Sequence, residues 1–172
     1  MMNCSRKKIV FVPSCMLCSC FQAKCTDENT TWAGEILQLL LQYNAGIVPI
    51  CCPEVSFEGY EKGLSRMPHG VSYYEKIPEF MNYCELLGEN TAQQIVALDK
   101  QGYAVCAVIG IEHSPSCAIN YMYTRAGTIK RKGILYQVIA DKLIDNNLDV
   151  SFVGVNRRHW DKARQKIQNL LD

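Results

Sequence analysis

Short apolar runs alternate with longer stretches of helical periodicity along this chain. Residues 8–13 (Lys-Ile-Val-Phe-Val-Pro) form an apolar, β-branched run of the kind that is buried on both faces of a parallel sheet. Over residues 31–43, Trp32, Ile36, Leu39, Leu40 and Tyr43 fall at helical spacing, with Thr31 as the N-cap and Gly46 just past the end. Residues 46–51 (Gly-Ile-Val-Pro-Ile-Cys) read as a second buried strand, in which Pro49 points to an edge or a bulge because proline cannot donate to a ladder. A turn-rich stretch over 53–70 precedes a helical region over about 78–101, which Gly88 is placed to divide into two helices. Residues 103–111 are continuously apolar and too short for a helix, so they predict a third strand. A polar loop then runs to about Gly133. It is followed by a helix over 134–146, a strand over 149–155 and a terminal helix over 159–171.

Strands that alternate with helices need crossover connections. The expected fold is therefore α/β, a single domain over residues 1–172 with a mostly parallel sheet and helices on both faces, Rossmann-like or flavodoxin-like in its three layers. The length suits one compact core.

Charge narrows the partners. Eighteen basic and seventeen acidic residues leave a net charge of +1, which gives no electrostatic footprint for nucleic acid or an anionic membrane surface. Only residues 9–13 near the N-terminus are apolar enough to resemble a signal-peptide core, and no stretch reaches the ~18 apolar residues of a spanning helix. A cytoplasmic protein with reduced thiols and a small-molecule partner is expected, with its oligomeric state open. Ten cysteines in 172 residues are fewer than the ~8–10% that marks a disulfide scaffold, so some of them are expected to bind metal.

In open α/β sheets, ligands bind beyond the carboxyl ends of the strands. Strand one is followed by Ser14-Cys15-Met16-Leu17-Cys18-Ser19-Cys20, strand two by Cys51-Cys52-Pro53-Glu54, and strand three by His113-Ser114-Pro115-Ser116-Cys117. Each strand thus hands a thiol to one edge, a donor set for a soft centre such as zinc or an iron-sulfur cluster. No second CxxC completes a closed zinc ribbon, so a site with an open position is the more natural reading.

These segments also carry a resemblance. Val12-Pro13-Ser14-Cys15-Met16-Leu17 resembles the Ser-x-Cys-Leu turn of the DUF523 family, which includes the thiouracil desulfidases (TudS). Residues 49–55 resemble its Cys-Pro-Glu motif, and Ser114-Pro115-Ser116-Cys117 its Ser-Pro-Ser-Cys loop. Gly63-Leu64-Ser65-Arg66 is similar to its Gly-Leu-x-x-Arg segment. The likeness to this TudS-related branch runs in order from Val12 to about Val155. It implies that Cys15, Cys52 and Cys117 ligate a 4Fe-4S cluster with one open iron. It further implies a redox-neutral desulfidase that converts C=S to C=O in a small thio-compound resembling a thio-nucleobase and releases sulfide. Glu54 would be the general base for water. Ser114 and Ser116 would orient substrate or donate hydrogen bonds to cluster sulfurs, and Arg66 would contact substrate. The chain departs from the family at Cys18, where a glycine is usual, at Ala118, and at Lys24-Cys25-Thr26 in place of Tyr-Asp-Gly.

Other functions fit the same thiols: a non-catalytic cluster protein that senses redox state or carries sulfur, or a zinc-binding structural module. Cys84 and Cys106 read as core and Cys4 as incidental, because cysteine usually packs as a small hydrophobe. Cys51 competes with Cys52, since strand alternation would turn only one of them to the crevice. Cys18, Cys20 and Cys25 are candidates for a fourth ligand or for sulfur acceptors. Cys15 and Cys18 make a poor thioredoxin-like pair if the next helix begins only near Thr31. His69, His113 and His159 lack ligand spacing and read as surface or hydrogen-bonding residues. The basic run from Arg125 to Lys132 reads as a solvated loop.

Overall fold

The computed structural model describes residues 7–24, 30–124 and 126–172. In chain order the elements are β1 (Lys8–Pro13), α1 (Ser14–Leu17), a 3-10 turn (Ser19–Phe21), α2 (Thr31–Gln42) and β2 (Gly46–Ile50). Then come α3 (Pro53–Phe57), α4 (Tyr60–Gly63), α5 (Val71–Tyr74), α6 (Pro78–Lys100) and β3 (Ala104–Ile111). The chain closes with β4 (Tyr121–Thr124), β5 (Gly127–Lys130), α7 (Ile134–Asp145), β6 (Phe152–Val155) and α8 (Asp161–Leu171).

The central sheet is four-stranded and parallel in the order β2-β1-β3-β6. Alternation along β1 sends Ile9 and Phe11 into a core with α6 and α7, and Val10 and Val12 into a second core with α2 and α8. Side chains on the two faces of one strand thus feed two apolar layers, which makes the fold a three-layer α/β domain, as the alternation of strand and helix predicts.

Several local expectations are corrected. Thr31 opens α2 rather than capping it, and the cap position belongs to Thr30. The stretch over 53–70 contains two short helices, α3 and α4, and a third, α5, follows it. Gly88 does not divide α6, which is continuous. A Cβ there would lie 2.6 Å from Val138 Cγ1, so the glycine lets α6 close on α7. The loop before Gly133 holds an antiparallel hairpin, β4–β5. Its Tyr121-Met122-Tyr123-Thr124 run is too short to separate from a loop by pattern. β6 and α8 begin at Phe152 and Asp161, later than expected. Pro49 lies in β2, the edge strand, where a missing donor costs least. Cys84 is fully buried, whereas Cys106 is only half-buried.

Because Val138 is stiff at its β-branch, Gly88→Ala is expected to lose about 1–3 kcal/mol to overpacking, more than the ~1 kcal/mol gained in helix propensity. Thermal unfolding of the single variant and of Gly88→Ala/Val138→Ala checks this: the second substitution should recover part of the loss.

Candidate functional site

In the order β2-β1-β3-β6 the chain steps from β1 to β2 on one side and to β3 on the other, so the topological switch point lies between β1 and β3. Cys15 sits in α1, which follows β1 without a break. Cys52 is the N-cap of α3, with Pro53 as its first residue, and Cys117 lies in the loop after β3. All three line one cavity of about 450 Å³, the size of a small-molecule site. Glu54, Arg66, Ser114 and Ser116 line it too, so every site residue expected from sequence reaches the same cavity.

Close backbone approaches hold these loops. Ser14 Oγ donates to Ile50 O at 2.7 Å, which joins the ends of β1 and β2. A Cβ on Gly110 would meet Cys117 O at 2.2 Å, and one on Gly133 would meet Ser116 C at 2.4 Å, so two glycines allow the Cys117 loop to lie flat against β3 and the start of α7. Ile111 N donates to Cys117 O (3.1 Å), Ile134 N to Pro115 O (2.9 Å) and Tyr136 N to Ser116 O (3.2 Å). Ser114 Oγ accepts from the N–H groups of Ser116 (3.3 Å) and Cys117 (3.2 Å), and the Cys117 thiol donates to the same oxygen at 3.2 Å. Ser114 therefore shapes the loop that carries Cys117.

Glu54 is buried at the centre of a polar network. Ser116 Oγ donates to its Oε1 at 2.9 Å, while Arg66 Nε (3.3 Å) and Tyr74 OH (3.5 Å) donate to Oε2. Arg66, itself 8% exposed, also donates from Nη1 to Gly63 O (3.0 Å) and from Nη2 to Phe21 O (2.9 Å) and Cys52 Sγ (3.7 Å). The arginine thus spends nearly all its N–H groups on protein partners, and the carboxylate keeps about one of its four acceptor sites. Burial, and next the Glu54 charge, push the Tyr74 hydroxyl up, which keeps it a donor.

The three thiols sense one another. Burial raises Cys15 well above the usual thiol range, and the neighbouring Cys117 and Cys52 raise it further. Burial pushes Cys52 up to about 12, with Glu54 adding to it and Arg66 opposing it. Cys117 is pushed up to about 11 by burial, against the Ser114 hydrogen bond. Arg157, on the same cavity, opposes the rise at Cys15 and Cys117. Its Nη1 donates to Gln22 Oε1 at 3.2 Å, and Gln22 Nε2 in turn donates to Cys15 O at 3.5 Å.

Arg157 follows β6, so the rule that located the thiols, applied to the fourth strand end, would have found it. Tyr74 and Gln22 carry no such signal. Cys51 also lines the cavity: β2 stops at Ile50, so strand alternation no longer governs the pair, and Cys51 instead donates to Ser56 Oγ at 3.4 Å. The helix after β1 starts at Ser14, not Thr31, which places Cys15 in a single helical turn with Cys18 at its C-cap. Cys18 and Cys20 are exposed. Cys4, Cys25 and Arg125 lie outside the described residues. The rest of the basic run forms β5 and its end, where Arg131 pairs with Glu75 at 2.5 Å. His159 is exposed, while His69 and His113 both line the cavity.

An uncharacterized protein of Methanocaldococcus jannaschii is 22% identical to this chain over 141 residues, covering 80% of each. No family model and no solved structure matches the chain. Among the described residues, no helix is long and apolar enough to cross a membrane. Among them, no group of three or more His, Cys, Asp or Glu side chains is arranged to hold a metal ion.

Two outcomes test this electrostatic arrangement. With Cys52 raised to about 12, its thiolate fraction at pH 8 is about 10⁻⁴, so in ligand-free protein iodoacetamide should label exposed Cys18 and Cys20 well before Cys15, Cys52 and Cys117, as read by peptide mass mapping. Arg66→Met strands the buried Glu54 carboxylate and is expected to cost about 3–5 kcal/mol in urea unfolding, whereas Arg131→Met at the exposed pair should cost under about 1 kcal/mol.

Proposed function

We propose that the cavity holds a 4Fe-4S cluster through Cys15, Cys52 and Cys117 and that the protein is a desulfidase acting on a small thiocarbonyl compound. The observation that carries this reading is the convergence of three thiols, from the ends of three adjacent parallel strands, on one cavity beside a buried, hydrogen-bonded carboxylate. The donor set suits such a group. Three half-buried thiols whose ionisation the protein disfavours resist it on their own, and a cationic iron-sulfur core would offset that cost.

When bound, the cluster supplies an iron without a protein ligand that accepts the departing sulfur. Glu54 takes a proton from water, whose oxygen adds to the thiocarbonyl carbon, and C=S plus water becomes C=O plus hydrogen sulfide with no net electron transfer. Ser116, Tyr74 and Arg66 hold the carboxylate so that its remaining acceptor site serves the water. Arg66 and Arg157 favour the thiolate forms of Cys52 and Cys15. The 450 Å³ volume suits a single planar ring of thio-nucleobase size.

Anaerobic reconstitution with iron and sulfide should give about four irons per chain, lost in Cys15→Ala, Cys52→Ala and Cys117→Ala but retained in Cys51→Ala. Sulfide release from 2-thiouracil or thioacetamide should fall by about 10²–10⁴-fold in Glu54→Gln with the iron content unchanged. Intact iron with no loss in Glu54→Gln would turn the reading to a redox-sensing or sulfur-carrying cluster protein. Zinc without labile sulfide would turn it to a structural zinc module.

A further inference from the structure

His113 stands at the end of β3, where the chain turns toward the hairpin, and three features of it are unusual. Its φ is +70°, in the left-handed region that a side-chain-bearing residue adopts at a cost. Its Nδ1 is buried with no hydrogen-bond partner in the structure. Its ring stacks on Tyr123 at 4.3 Å between centroids and 20° between planes, and both rings line the thiol cavity. The backbone that imposes this position is firmly held: His113 N donates to Tyr121 O at 2.7 Å, and a bridge pairs His113 with Met122. Next to it the buried Glu112 carboxylate accepts from Asn120 N (3.1 Å), Tyr121 N (3.0 Å) and Asn120 Nδ2 (2.6 Å), fixing the approach to the hairpin.

An unpartnered ring nitrogen is tolerated more readily as a bare acceptor than as an N–H donor without an acceptor. In the neutral ring this puts the proton on Nε2. The backbone conformation and the stacking on Tyr123 fix the ring at the cavity wall.

We infer that His113 is a substrate-positioning residue, whose Nε2–H donates to the carbonyl or thiocarbonyl acceptor of a neutral planar ligand in the thiol cavity. The inference rests on the proposed function for the identity of the ligand, but the tautomer does not depend on it. His113 bonds to no thiol among the described residues, so its removal leaves the cluster ligands in place.

The test has two arms. Nitrogen-15 NMR of the imidazole in ligand-free protein at neutral pH should show Nε2 protonated and Nδ1 bare; the reverse tautomer overturns the inference. Binding of uracil, a carbonyl analogue that cannot be desulfurated, is then measured by calorimetry on reconstituted protein. His113→Asn, which cannot offer a donor at the Nε2 position, should weaken it about 3–10-fold, while His113→Gln, which can, should stay within about 2-fold of wild type. Equal effects in both variants, or none in either, overturn the inference, as does wild-type protein with full iron content that binds no uracil. Failure to take up iron, with the expected tautomer and uracil binding intact, overturns the cluster reading instead and leaves the role of His113 standing.

Discussion

The buried ion pair between Glu54 and Arg66 is the constraint on which the site depends. Its partners come from separate parts of the chain: Glu54 from the helix after β2, Ser116 from the loop after β3, and Phe21 from the turn that follows β1 by way of α1. One guanidinium and one carboxylate therefore tie together the loops at three strand ends, and Arg66 reaches the Cys52 sulfur as well. Neither charge is tolerable in that environment without the other, and because each is held by further hydrogen bonds the loops cannot drift independently. The placement of the thiols on one cavity is a consequence of this knot as much as of the sheet beneath it.

Where polar contacts fix the β1 and β2 side, sterics fix the β3 side. Gly110 and Gly133 allow the backbone of the Cys117 loop to pack where no side chain fits, and the first turn of α7 finds acceptors for its N–H groups in the carbonyls of that same loop. The loop is thus the cap of a helix and one wall of a cavity at once. The sulfur it carries sits on backbone positioned by the core rather than on a surface excursion.

The central sheet was readable in the sequence because its strands are short apolar runs separated by helices of clear period, and each run between Lys8 and Ile111 falls within about a residue of the strand observed. The cysteines and Glu54 were readable by position, since the rule that ligands gather beyond strand ends needs only the strands. The hairpin and the partners of Glu54 were not. Tyr121–Thr124 is a four-residue strand whose pairing is set by Glu112 and His113, a tertiary effect with no period to detect. Tyr74 lies in a one-turn helix far along the chain, and its hydroxyl reaches Glu54 only because α5 folds back over the site. Gly88 misled because a glycine that breaks a helix and a glycine that admits a neighbouring helix look alike until the neighbour is known.

Pro49 has a consequence that reaches beyond the single molecule. It occupies the outermost strand of the sheet, where unpaired backbone would otherwise offer a template to any extended chain nearby. A residue without an amide hydrogen at the penultimate position of a five-residue strand interrupts that template, so a nascent or partly unfolded copy finds no continuous ladder to join. In a crowded cell, where such encounters are frequent during synthesis, this one ring favours solitary folding over the growth of shared sheets.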